Sequence, residues 1–102
     1  MRGKKKMENK KMQVFEDMNM SNILYELDFD IVHESENKSF RQFWWMSGNI
    51  KVYVTFKECN EYVHVDIIDD GKLWEDRLES IAFKFDRDGI KRLLCFLIEQ
   101  TF

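Results

Sequence analysis

Apolar and polar side chains alternate along this chain from about residue 23. Ile23, Tyr25, Leu27, Phe29 and Ile31 interleave with Leu24, Glu26, Asp28, Asp30 and Val32. Successive side chains on a strand point to opposite faces, so this period of two predicts a long strand with one buried and one wet face. Before it, residues 13–20 predict a helical turn or two. After it, the polar run Ser35 to Lys38 reads as a turn.

Ser39 to Met46 predicts a second strand, closed by the turn Ser47-Gly48-Asn49. The next segment places Ile50, Val52, Val54 and Phe56 on one face and Lys51, Tyr53, Thr55 and Lys57 on the other. Glu58-Cys59-Asn60 turns the chain, and Tyr62 to Ile68 is rich in the β-branched residues that strands favour. Asp69-Asp70-Gly71-Lys72 is a hairpin signal, because Asp-Gly tolerates positive φ. Leu73 to Phe85 carries both periods: Leu73, Trp74, Leu78, Ile81, Ala82 and Phe85 fit a helix, whereas Ile81, Phe83 and Phe85 fit a strand. Short connections between sequential elements favour one or two strands.

A helix comes last, with Asp86 or Asp88 as its cap. At about 100° per residue, Ile90, Leu93, Leu94, Phe96, Leu97 and Ile98 cover an arc of roughly 200°. A helix on a flat sheet needs little more than about half of that, so the arc points to deep burial or to a second contact such as a homodimer interface. Cys95 falls in the polar arc and is expected outside the core. The fold class is α+β: a single small domain, an antiparallel meander of about five strands with a C-terminal helix packed on one face.

With 102 residues the chain holds one domain plus a tail. Hydrophobic residues at 44% supply enough apolar surface to offset the entropy of ordering, which excludes a wholly disordered chain. The net charge of −3 conceals an asymmetry. Residues 1–12 hold Arg2, Lys4, Lys5, Lys6, Lys10 and Lys11 against Glu8 alone, and the other 90 residues hold 10 bases and 18 acids. The expectation is a disordered basic tail over residues 1–12 and a single acidic domain over 13–102. No apolar stretch follows the basic start, and no run approaches a membrane span of about 18 apolar residues. Together these predict a soluble protein of the cytoplasm with no membrane contact.

The chemistry of catalysis is thinly represented. Cys59 and Cys95 are too far apart for a zinc knuckle or a redox pair, and free thiols are expected. His33 and His64 have no second ligand at a metal-binding spacing. A calcium-loop register with Gly71 at its sixth position puts Ile68 third and Arg77 twelfth, which fails. The glycines at 3, 48, 71 and 89 are isolated, so no phosphate loop is present. Cys59 stands between Glu58 and Asn60 with no Lys, Arg or His adjacent to stabilise a thiolate nucleophile. The chain is expected to be non-enzymatic, with no cofactor and no metal.

Three surfaces invite a partner. Glu26, Asp28 and Asp30, continued by Glu34, share the polar face of the expected first strand. Alternate strand residues lie about 6.6–6.8 Å apart, close to the phosphate spacing of one nucleic-acid strand. Trp44 and Trp45 are neighbours on a strand and point to opposite faces, one toward the core and the other free to anchor a partner. The third surface is the wide apolar arc of the C-terminal helix.

The expected function is that of a small acidic protein-binding module. It would act as an inhibitor or antagonist of the kind viruses and mobile elements carry, occupying a basic surface through Glu26, Asp28, Asp30, Glu34 and Trp44 or Trp45. Mimicry of nucleic acid is one form this could take. The alternative is a small nucleic-acid-binding domain that uses Lys4, Lys5 and Lys6 of the tail with Arg41 and the strand aromatics.

Overall fold

In the computed structural model, which describes residues 10–69, 71 and 79–101, the long first strand expected from residue 23 does not form as such. The described residues begin with two short helices, α1 (Lys10–Asp17) and α2 (Met20–Glu26). Ile23 to Glu26 belong to α2, and strand β1 spans only Asp30–Glu34. The sequence carries both periods here. Met20, Leu24 and Leu27 recur at helical spacing inside the alternation, and tertiary packing selects the helix. Met20 and Leu24 are fully buried in the core.

Asp28 ends the helix. It takes φ 71°, and its amide donates to the Tyr25 carbonyl at 2.9 Å while that of Phe29 donates to Leu24 at 2.9 Å. These two bonds form a Schellman motif with Asp28 in the left-handed position, a conformation that Asp tolerates better than most residues. Phe29 and Leu24, the apolar pair that accompanies this motif, are both fully buried.

Helix α1 also reaches into the expected tail. Lys10, Lys11 and Met12 form its first turn, and Met12 is buried. The amides of Lys11 and Met12 donate to Glu58 Oε2 at 3.1 Å and Oε1 at 2.8 Å. Glu58, on the turn after β3, thus satisfies donors that the helix start leaves open. Lys4, Lys5 and Lys6 lie outside the described residues.

The strands β1, β2 (Phe40–Ser47), β3 (Ile50–Lys57), β4 (Tyr62–Asp69) and β5 (Glu79–Lys84) form an antiparallel meander in sequence order. Within the ambiguous stretch Leu73 to Phe85, β5 is a strand, and residues 72–78 lie outside the described residues. Gly71 adopts φ 92° after β4, but the β4–β5 ladder ends at Ile67 and Glu79, so Asp-Gly does not close the two-residue hairpin expected of it.

Helix α3 (Arg87–Thr101) closes the chain. Asp86 Oδ1 caps it by accepting from the Gly89 amide at 2.8 Å. The apolar arc is graded: Ile90, Leu93 and Leu97 are fully buried, Leu94 and Phe96 are half-buried, and Ile98 is 45% exposed. Cys95 is exposed.

The three described helices pack on one face of the sheet. Phe43, Val52, Val54, Phe56, Val63 and Val65 meet Met12, Phe15, Leu24, Ile90, Leu93 and Leu97 in one core. The Phe15 ring stands edge-on to Phe56 at 4.8 Å and stacks on Phe43 at 6.0 Å. Among the described residues, no helix covers the opposite face.

Candidate functional site

The acidic row expected on one strand face is dispersed. Glu26 is the last residue of α2, Asp28 is the left-handed turn residue, and only Asp30 and Glu34 lie on β1. Those two are separated by a bulge: Ile31 pairs with Phe43 and His33 with Gln42, so Val32 is the extra residue. The bulge reverses the facing of the residues beyond it. Asp30 pairs with Trp44 on the open face, whereas Glu34 pairs with Arg41 on the helix side.

Glu34 is therefore engaged rather than displayed. Its Oε2 lies 2.9 Å from Arg41 Nε and 3.7 Å from Lys38 Nζ. Arg41, a candidate for nucleic-acid contact, is also removed from solvent. It is 4% exposed, pairs with Glu16 at 2.6 Å and lies 4.6 Å above the Phe15 ring. Trp45 packs against the core, with its ring 6.4 Å from that of Phe29. Of the six expected partner-binding residues, Glu26, Asp28, Asp30 and Glu34 remain exposed, Glu34 with its carboxylate already paired, and Trp44 stands half-exposed on the open face.

What the structure does assemble is an edge. On one side β1 pairs with β2, and on the other it has no strand neighbour among the described residues. All five of its residues are exposed. Tyr25, Ile31 and Val32 are 47%, 38% and 47% exposed, and the Tyr25 ring leans edge-on against Phe43 at 6.3 Å. Tyr25 and Ile31 thus both adjoin Phe43 at the rim of the core. Glu26, Asp28 and Asp30 frame them, and none of the three makes an ion pair among the described residues. From Met20 to Asn37 the chain has five acids and no Lys or Arg. The apolar members of this patch were hidden to sequence reading, because a continuous strand would have buried Tyr25 and Ile31 on one face.

The second assembly is the open face of the sheet. Trp44 and Tyr53 are cross-strand partners, stacked at 6.2 Å, and Lys51 Nζ lies 5.3 Å from the centre of the Trp44 ring. Phe40 pairs with Lys57, whose Nζ is 5.4 Å from its ring, and His33 approaches the same ring at 5.1 Å. Gln42 donates to Thr55 Oγ1 at 3.1 Å. A shallow hollow of about 240 Å³ lies over Phe40, Gln42, Thr55, Lys57 and His64, with Asn60 and the carboxylate-bearing Asp66 also in its lining.

Among the described residues, no group of three or more His, Cys, Asp or Glu is placed to hold a metal ion, and no helix is long and apolar enough to cross a membrane. This chain matches no protein-family model, and no curated protein or solved structure is significantly similar to it.

Proposed function

We propose that this chain is a non-enzymatic binding module that receives an extended, basic segment of a protein partner along the free edge of β1. The observation that carries the reading is the coincidence of three features there. A strand edge with no strand neighbour among the described residues runs beside exposed Tyr25, Ile31 and Val32, and Glu26, Asp28 and Asp30 surround it. A free edge offers main-chain donors and acceptors to an added strand. The apolar trio gives that strand's side chains a surface to bury, and the uncompensated acids favour Lys and Arg over acidic competitors. With only five residues and a bulge, β1 offers a short ladder, so affinity rests on the charges and on the apolar trio. By covering a basic segment, the module acts on its partner as an inhibitor or antagonist.

The test is capture from nuclease-treated lysate on immobilised wild-type protein, beside Glu26→Lys/Asp30→Lys and Val32→Lys. These substitutions fall on exposed side chains and spare the left-handed Asp28. The expected result is a stoichiometric basic polypeptide that both variants lose, with slowed amide exchange in residues 30–34 of the wild-type complex. A partner retained by both variants, or protection confined to other strands, sinks the proposal.

A further inference from the structure

We infer that the open face of the sheet is a binding site for single-stranded nucleic acid, independent of the β1 edge. Three lines of observation meet there.

The first is the ring arrangement. Trp44, Tyr53 and Phe40 lie on the adjacent strands β2 and β3, half-exposed on the face that no described helix covers. Flat rings presented on a sheet are platforms on which unpaired bases stack, with little regard to sequence.

The second is charge. Across the sheet, strand charges segregate. The helix side carries Arg41 with Glu34, Asp69 and Glu79, and the open face carries Lys51, Lys57 and Lys84 with Asp30 and Asp66. Asp66 is largely buried but lines the hollow on this face, so among the described strand residues the open face sets three lysines against Asp66 and, at its rim, Asp30. These strand charges sum to +1 on the open face and to −2 on the helix side, so among the described residues the open face is the more basic of the two.

The third is spacing. Lys51 and Lys57 are six residues apart on β3, roughly 20 Å at the rise of an antiparallel strand. That distance spans about three phosphates of an extended strand, with Tyr53, Trp44 and Phe40 between or beside the two cations. Gln42, Thr55, Asn60 and His64 line the hollow beside the Phe40 ring, with Asp66 in the same lining, and offer hydrogen bonds to base edges. A duplex keeps its bases stacked inside and gains only the phosphate contacts.

The experiment is fluorescence anisotropy of fluorescein-labelled dT12 and of a mixed-sequence 12-mer, single-stranded and as duplex, at about 50 mM salt. The expected result is binding of both single strands at least tenfold tighter than of duplex. Three phosphate contacts predict a log–log salt slope of about −2. Lys51→Glu/Lys57→Glu weakens binding at least tenfold, and Trp44→Ala weakens it about tenfold, with circular dichroism confirming that each variant is folded. Glu26→Lys/Asp30→Lys, which disables the β1 edge, binds as tightly as wild type or more so, which keeps the two proposals separable.

Four outcomes overturn the inference. They are no anisotropy change at 100-micromolar protein, on the order of the weakest non-specific binding; equal affinity for duplex; loss in Lys4→Glu/Lys5→Glu/Lys6→Glu but not in the Lys51/Lys57 variant; and a dimer that Trp44→Ala dissolves, which would assign the face to a second copy of this chain.

Discussion

Arg41 Nη2 lies 2.6 Å from Glu16 Oε2, so a guanidinium on the second strand of the sheet holds the first helix against it. The pair is asymmetric: the Arg41 side chain is 5% exposed and that of Glu16 is 54% exposed. Glu34 supplies a second carboxylate at 2.9 Å, and the Phe15 ring lies under the guanidinium.

Arg41→Ala is therefore expected to destabilise the fold by about 2–4 kcal/mol, below the full cost of breaking a buried pair because the stranded carboxylates still reach water. Glu16→Gln is expected to cost less than about 1 kcal/mol, since Arg41 keeps Glu34. Urea denaturation midpoints check both. Equal losses for the two variants would contradict the asymmetry.

Gly89 sits at the start of α3 with its Cα against the Lys84 backbone, and a Cβ there would overlap the Lys84 carbonyl. Backbone cannot swing away as a side-chain tip can. Gly89→Ala is expected to cost at least about 3 kcal/mol, near the upper range for overpacking. Asp86→Ala, which removes the cap on the Gly89 amide, is expected to cost about 1 kcal/mol, and Asp86→Asn less. Thermal unfolding of the three variants ranks them, and a stable Gly89→Ala protein would mean that α3 enters the sheet differently.

The left-handed Asp28 separates a helix–turn from a continuous strand by the sign of one substitution. Asp28→Val is expected to lower stability by about 1–2 kcal/mol, because a β-branched residue resists positive φ. Asp28→Asn is expected to be close to neutral. In an uninterrupted strand from Ile23 to Val32, valine would instead be favoured. A more stable Asp28→Val protein would restore the strand.

Cys59 and Cys95 are free and exposed. Ellman's reagent is expected to titrate both thiols in the native protein, without denaturant and without a slow phase. Protection of Cys95 would mean that the polar side of α3 is covered in solution.

The β-meander was legible because Ile50 to Lys57 alternates strictly, Tyr62 to Ile68 is rich in β-branched residues, and the Ser47-Gly48-Asn49 turn acts locally. The helix α3 was legible because a capping Asp precedes an apolar stripe of helical period. The segment Met20 to Val32 was misread for a physical reason: its apolar residues satisfy both periods at once, and the choice was made by the core that Met20, Leu24 and Phe29 enter. The acidic row fell with it. Its members are all exposed, but the bulge at Val32 turned Glu34 to the other face and into a pair with Arg41, and a bulge has no local signature here.

By itself, then, the sequence determined the sheet, its order and the helix that closes the chain, because hydrophobic period and turn chemistry are short-range properties. Only the tertiary structure decided where the charges and rings point. Arg41 passed from a surface base to a buried clamp because Phe15, Glu16 and Glu34, distant in sequence, converge on it. Trp44 gained Tyr53 and Lys51 as neighbours through strand register, which no single segment encodes.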